Sequence, residues 1–236
     1  MLGRTLTRVP QILSPLVILL AAAIGSAVAA DLSSAPSESI GNLKDLMALF
    51  ESSGGVRAEF SEKRYLSILE EPIETRGVLY FSPPDRLARY TNYPDQSSMV
   101  ANGELIILRD RTGEQTMTLG SSELARQLVD SFAVLLRGDL KALTGMYRVE
   151  LHFQQGQGAP QARPWTLDLE PRSPRIRKLI ERIRVEGLGN KLIAKETLET
   201  NGDRSIMVFP VVQTGLNFGD EEIELFFLLK NRDSAP

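Results

Sequence analysis

The sequence contains no cysteine and only one histidine among its 236 residues. The absence of cysteine excludes disulfide bonds, thiolate metal sites and lipidation of an N-terminal cysteine. A Ser-His-Asp triad or a histidine-based metal site would depend on His152. In the run Val149–Phe153 this histidine alternates with apolar residues, which predicts the solvent-facing side of a strand. We therefore expect no enzymatic activity, no metal site and no cofactor.

The chain also lacks a glycine-rich phosphate loop and an excess of basic residues. Its formal net charge is −3, or −5 without the first 30 residues, so we expect no nucleic-acid binding. The basic residues between Arg172 and Arg184 are interleaved with acidic and apolar residues. This pattern favours a solvated face, and contact with an anionic membrane surface is the alternative. The acidic groups Glu70-Glu71 and Asp220–Glu222 adjoin turn signals and are interpreted as solvated charges.

One long apolar run is present, and it lies at the N-terminus. Arg4 and Arg8 precede the apolar run Ile12–Val28, and Ala27–Ala30 offers small residues to signal peptidase. This pattern predicts a cleaved Sec-type signal peptide over residues 1–30. A membrane anchor is the alternative, but the run is at the short limit for a spanning helix. Residues 31–236 are then long enough to form a single domain with a sizeable core.

Most of the remaining chain consists of short strand-like runs separated by turn signals. Between Gly77 and Leu119, turns recur about every ten residues, which is typical of an antiparallel meander. The turn signals are Pro83–Asp85, Pro94-Asp95, Asn102-Gly103 and Thr112-Gly113. Further strands are predicted at Val56–Leu69, Ile73–Phe81, Tyr147–Gln154, Pro164–Leu169, Lys191–Leu198 and Arg204–Phe209.

Three segments carry a helical pattern of apolar residues. Helices are predicted over Ser39–Ser53 and Ser121–Arg137, with a further helical turn at Leu140–Thr144. The run Pro174–Val185 fits a helix or a strand, and we interpret it as one helical turn at Arg175–Lys178 followed by a strand. An antiparallel sheet of ten or more strands tends to curl. The predicted fold is therefore mainly β (α+β): a strongly curved antiparallel sheet forming an incomplete β-barrel of about 10–11 strands, covered by a lid of two or three helices.

Several short motifs, in their order and spacing, resemble those of a known family. They are Val56–Glu62 (VRAEFSE), Gly77–Phe81 (GVLYF), Pro84–Leu87 (PDRL), Val100–Leu105 (VANGEL), Leu135–Asp139 (LLRGD) and Leu167–Pro171 (LDLEP). Together, over about residues 40 to 230, they resemble the LolA/LolB type of outer-membrane lipoprotein carrier. The run Tyr65–Pro72 is similar to that of a divergent LolA-related branch.

The resemblance implies a periplasmic carrier of a Gram-negative bacterium, most simply a monomer. Such a carrier binds the acyl chains of lipoproteins, or other lipidic cargo, in a hydrophobic cavity and transfers them toward the outer membrane. An inner-membrane transporter and an outer-membrane receptor are further implied partners. The alternative is a lipid-sensing or accessory subunit of an export system, for example for lipids or polyene pigments, with the same fold.

The resemblance also implies that the concave face of the sheet and the lid line the cavity. The predicted lining residues are Phe60, Leu79, Phe81, Leu87, Met99, Ile106, Leu108, Leu128 and Phe132. A one-residue error in strand phase would exchange the inside and the outside of the sheet. The best-known carriers have an arginine directly before the proline of a strand turn, and this position is Pro83 here. Arg86 and Arg89 are the predicted polar contacts at the lid or mouth.

Overall fold

A computed structural model describes residues 41–121, 129, 132–154 and 163–228. One antiparallel sheet of eleven strands dominates these residues. In chain order the strands are β1 (Gly55–Tyr65), β2 (Ile73–Ser82), β3 (Arg86–Tyr93), β4 (Ser97–Asn102), β5 (Leu105–Asp110), β6 (Gly113–Thr118), β7 (Tyr147–Phe153), β8 (Pro164–Pro171), β9 (Ile180–Leu188), β10 (Lys191–Glu199) and β11 (Arg204–Leu216).

The spatial order of the strands is β6-β5-β4-β3-β2-β1-β11-β10-β9-β8-β7. The meander β1–β6 and the group β7–β11 are therefore joined where β1 pairs with β11. The sheet is curved and does not close, because β6 and β7 remain edge strands. The predicted fold class, an incomplete barrel of antiparallel strands with a few helices, is confirmed.

Within the described residues, four α-helical segments accompany the sheet. They are α1 (Leu43–Glu51), α2 (the helical residues 132–137), α3 (Leu140–Met146) and α4 (Asp220–Phe227). The ambiguous run after β8 forms a 3-10 turn at Ile176–Lys178 and then β9, as predicted. Among the described residues, no helix has the length and apolar character needed to cross a membrane.

The main core lies between the inner face of the sheet and helices α1, α2 and α3. Leu46, Met47 and Phe50 of α1 are almost completely buried. Phe50 contacts the ring of Trp165 on β8 edge-to-face, with the centroids 5.8 Å apart. Burial of each such side chain stabilises the fold by about 1.5–3 kcal/mol.

The sequence patterns did not predict α4, which packs against the outer face of β3 and β4. Its three leading acidic residues are exposed, and they begin the helix where negative charge is favourable. The Tyr80 ring stacks on Phe226 with centroids 4.2 Å apart. The Tyr90 hydroxyl donates a hydrogen bond to the carbonyl oxygen of Phe226 at 2.6 Å. The outer face therefore has a small core of its own, around Phe227.

Two predicted strand boundaries were wrong. The first strand ends at Tyr65, and the backbone N–H of Ser67 instead donates to the Asp203 carboxylate at 2.8 Å. The last strand continues past Phe209 to Leu216. Its Pro210 lies at a register shift against β1, where a proline removes no ladder hydrogen bond.

The glycine at position 77 is required by the close approach of β2 and β3. A Cβ atom there would lie 1.8 Å from the carbonyl oxygen of Tyr90. We expect Gly77→Ala to lower the free energy of unfolding in urea by about 3 kcal/mol or more, because the strands must separate. Gly145→Ala is the matched control, since its Cβ would meet no atom within 4 Å and alanine favours the helix. Equal stabilities of the two variants would contradict this packing.

Candidate functional site

The strand register assembles one row of side chains across the inner face of the meander. Arg89 lies opposite Met99, Met99 opposite Leu108, and Leu108 opposite Gln115. Directly opposed residues of neighbouring strands share a face of the sheet. The row therefore places a cation and a polar amide on either side of two apolar side chains.

A cavity of about 550 Å³ opens over this row. We call it the inner-face pocket. Its lining residues are Ile73, Thr75, Arg89, Thr91, Pro94, Asp95, Ser97, Ser98, Met99, Leu108, Arg109, Asp110, Gly113 and Gln115. Its size lies within the range of about 300–1,000 Å³ that is usual for small-molecule pockets. Three of the predicted site residues, Arg89, Met99 and Leu108, line it.

Five other predicted lining residues belong to the packed core beside this pocket. They are Phe60, Leu79, Phe81, Leu87 and Ile106, all at most 4% exposed. They share a contact cluster with the residues of α1 and α2. Their side chains lie on the inner face of the sheet, as expected. Their role as ligand contacts stays a prediction.

The last two predicted residues are Leu128 and Phe132. Leu128 lies outside the described residues. Phe132 is half-buried, and its ring meets that of Phe209 edge-to-face with centroids 6.2 Å apart. Helix α2 therefore packs against β11 at this point.

Arg89 is held rigidly beside the pocket. Its Nη2 donates to Glu62 at 2.6 Å and to the Thr75 hydroxyl at 3.2 Å. The guanidinium lies 4.6 Å from the centroid of the Phe60 ring. Its Nε is buried and has no hydrogen-bond partner among the described residues. Nη1 likewise makes no hydrogen bond to a described residue, so three of the five N–H donors of Arg89 have no partner in this part of the chain.

Glu62 connects the two halves of the sheet. Besides Arg89 of the meander, its carboxylate accepts a hydrogen bond from the hydroxyl of Ser205 on β11. Burial alone would raise the pKa of Glu62, but the charge of Arg89 and these hydrogen bonds hold the pKa below its ordinary value. Glu62 is therefore an anion at neutral pH.

A second cation, Lys195 of β10, interacts with Glu62 and Arg89, and we call these three residues the Glu62 cluster. Its Nζ lies 4.7 Å from the centroid of the Phe132 ring. Burial lowers the pKa of Lys195 to about 8; Glu62 opposes this shift and Arg89 adds to it. Because Glu62 follows Phe60 by two residues, strand alternation could have predicted that it faces inward. The sequence analysis did not predict this, because charged residues usually lie on the solvent-facing side of a strand.

The outer face of β7–β9 carries His152 and Asp168, the kinds of residue that a catalytic triad would require. The side chain of His152 is 61% exposed, which confirms its predicted solvent-facing position. Arg184 donates two hydrogen bonds to Asp168, and these lower the pKa of that carboxyl. This pairing supports the solvated-face interpretation of the basic segment. Among the described residues, no group of three or more histidine, aspartate or glutamate side chains could hold a metal ion.

Another cavity, of about 390 Å³, lies on the outer face beside α4. Tyr80, Tyr90, Leu225 and Phe226 are among its lining residues. Its lining contains none of the predicted site residues and none of Glu62, Arg89 and Lys195. Six of its lining residues also line the inner-face pocket: Thr91, Asp95, Ser97, Ser98, Arg109 and Asp110. The inner-face pocket is therefore the candidate functional site.

A family model described as "Outer membrane lipoprotein carrier protein LolA-like" matches residues 34–211. The chain belongs to this LolA-like family. No curated protein matches it significantly. Solved structures with a similar fold include a LolA superfamily protein from Nitrosomonas europaea (8% identity, TM-score 0.42, covering 77% of this chain and 96% of that one).

Two further solved structures are similar to the LolA-like chain. A DUF1329 family protein from Desulfovibrio piger has 10% identity and a TM-score of 0.45, with 75% of this chain and 92% of that chain covered. The MucA/MucB complex of Pseudomonas aeruginosa has 14% identity and a TM-score of 0.41. The aligned region covers 77% of this chain and 60% of that chain.

The turn between β2 and β3, at Pro83 and Pro84, contacts helix α2. Neither Arg86 nor Arg89 contacts a helix through any hydrogen bond between described residues. Instead Arg137, at the end of α2, donates from Nη1 to the carbonyl oxygen of Pro84 at 3.1 Å. The cation of this helix–turn contact thus comes from the helix and not from the turn. Arg86 has a buried Nε without a partner in the described part of the chain.

The lowered pKa of Lys195 predicts a specific dependence of stability on pH. The folded protein binds fewer protons than the unfolded chain between about pH 8 and the ordinary value of 10.5, so this group makes stability rise across that window. We expect Lys195→Met to raise the free energy of unfolding at pH 7 and to flatten this rise, as measured by urea denaturation at pH 7 and 9.5. Lys191→Met, at an exposed position of the same strand, is the control. An unchanged pH slope in Lys195→Met would contradict the assignment.

Proposed function

We propose that this protein is a periplasmic carrier that binds acyl chains of lipoproteins, or other lipidic cargo, and transfers them toward the outer membrane. The observation that supports this function best is the inner-face pocket, which opens beside the packed core in a chain of the LolA-like family. LolA-like proteins are carriers and binding proteins of the periplasm. We place the inner-face pocket as the cargo site of this member.

The composition of the pocket wall suits an acyl chain. Ile73, Met99 and Leu108 supply apolar surface, and methionine adapts its shape to an irregular ligand. Each buried methylene group of a chain is worth about 0.8 kcal/mol, so a free chain partitions strongly out of water. A pocket that covers even part of the chain lowers the cost of its passage through the periplasm.

The remaining parts of the proposal concern the whole chain. We infer that residues 1–30 are a Sec-type signal peptide and that residues 31–236 form the mature, monomeric carrier. The function proposed is binding and transfer without catalysis. An acylated lipoprotein or another lipid is the cargo, and an inner-membrane transporter and an outer-membrane receptor are the proposed partners.

Native mass spectrometry of protein purified from the periplasm would test this function. A mass increment that dissociates as lipid or as an acylated protein is the expected result. A stoichiometric protein complex without lipid would instead favour the sensor or accessory subunit with the same fold. N-terminal sequencing of the same sample should find that the mature protein begins at residue 30 or 31. Protein that retains Met1 and is found in the membrane fraction would contradict the predicted signal peptide.

A charge in the apolar wall should weaken cargo binding. We expect Leu108→Glu to reduce the affinity for a fluorescent acyl probe at least tenfold, because a carboxylate beneath a chain must be desolvated. Leu105→Glu is the control on the same strand, at a side chain that is already 48% exposed. Equal binding by both folded variants would contradict the position of the site.

A further inference from the structure

The inner face of the sheet is divided into two chemically different zones. Near α1, it is apolar and packed, around Phe81 and Leu87. Further along β1, β2 and β3, the inward positions become polar: Glu62, Thr75 and Arg89. A cavity made only for hydrocarbon would not need this second zone, since buried polar and charged groups destabilise the fold unless they are paired.

The charges of the polar zone do not balance. Arg89 and Lys195 are cations, and the only carboxylate that both face is Glu62. Arg64 pairs with Glu199 at 3.0 Å. Two further carboxylates line the pocket, Asp95 and Asp110, and Asp110 accepts hydrogen bonds from Thr112. Asp95, on the pocket rim, lies 3.6 Å from Arg111. One positive charge is therefore in excess among Arg89, Lys195 and Glu62, whereas the pocket wall also carries Arg109 and the carboxylates Asp95 and Asp110.

Two arginines line the pocket, and Arg89 is the one that keeps two nitrogens unused by described residues, because Arg109 donates from both Nε and Nη2 to Glu114. Its Nη2 is occupied by Glu62 and Thr75, whereas Nη1 makes no hydrogen bond to any described residue. The guanidinium is fixed by Glu62 and by the Phe60 ring, so little side-chain entropy would be lost on binding a ligand. Charge-assisted hydrogen bonds from such a guanidinium to a carboxylate or phosphate are about twice as strong as neutral ones.

Resting on the proposed carrier function, we propose that the cargo is an anionic amphiphile whose carboxylate or phosphate binds Arg89 while its acyl chain lies over Met99 and Leu108. The hydroxyl groups of Thr91 and Ser97 line the pocket and supply further donors to the anion. The charge of Lys195 interacts with Glu62 and with Arg89, so Glu62 does not compensate Arg89 alone. Arg89 therefore selects cargo by the charge of its head group.

Paired probes test this selectivity without a mutation. We expect the protein to bind the fluorescent fatty acid cis-parinaric acid at least tenfold more tightly than its uncharged methyl ester at pH 7. Equal affinities for acid and ester would overturn the anionic head group while leaving the carrier function in place. Binding of neither probe would count against the carrier function itself.

Variants then assign the preference to one side chain. Arg89→Gln should reduce affinity for the acid to that for the ester and leave ester binding within about twofold. Arg89→Lys should keep part of the preference, because the charge remains. Arg148→Gln, at a side chain that is 69% exposed on β7, is the control for loss of one positive charge. A full preference in folded Arg89→Gln would overturn the role of Arg89.

Inorganic phosphate distinguishes an amphiphile from a free anion. Phosphate at up to 1 mM, a concentration of roughly physiological order, should leave the acid bound, because most of its affinity comes from the chain. Displacement of the acid by micromolar phosphate would overturn the amphiphile and assign the site to a free anion.

Discussion

The pairing of β1 with both β2 and β11 is the constraint on which the other contacts depend. It places Phe60 opposite Gly77, and the missing side chain of this glycine lets β3 approach closely enough for Arg89 to cover the Phe60 ring. It also places Glu62 opposite Thr75 on one side and Met207 on the other. A single carboxylate thereby reaches a cation of the meander and faces a lysine of the other half of the sheet. A one-residue slip of β1 would turn Glu62 outward and leave both cations without it.

Much of the fold could be predicted because turns and alternation are local signals. The glycine and proline turns from Gly77 to Leu119 delimited β2 to β6, and the apolar residues of β1 and β2 were assigned to the correct face. Helix α4 was missed because it has only eight residues and its acidic start resembles a solvated turn. The strand ending at Phe209 was cut short because a proline stops a strand unless a bulge accommodates it.

The candidate site was harder to predict than the fold, for a physical reason. Alternation reports which residues face inward, but it does not report whether facing elements fill the space above them. Leu79 and Leu108 have the same character in the sequence, yet Leu79 lies in the packed core and Leu108 lines a cavity. The polar cluster was missed because inward charges contradict the hydrophobic pattern from which the strand faces were assigned. Arg89 was named for its place near a turn; among the described residues it contacts Glu62, and its role at the lid or mouth stays a prediction.

The polar zone makes sense if a carrier must release its cargo as well as bind it. A deep, wholly apolar groove would hold an acyl chain with a free energy that grows by about 0.8 kcal/mol per methylene, and dissociation would slow accordingly. In a pocket of limited apolar area, fewer methylene groups are buried, so the binding free energy of a long chain stays small. One fixed guanidinium would then supply part of the selectivity. The unshared donors of Arg89 and the lowered pKa of Lys195 are costs to the empty protein that a bound anion would relieve. Stability of the empty state is thus reduced at the groups that we propose to bind the cargo, which is the balance expected of a site that is filled and emptied repeatedly.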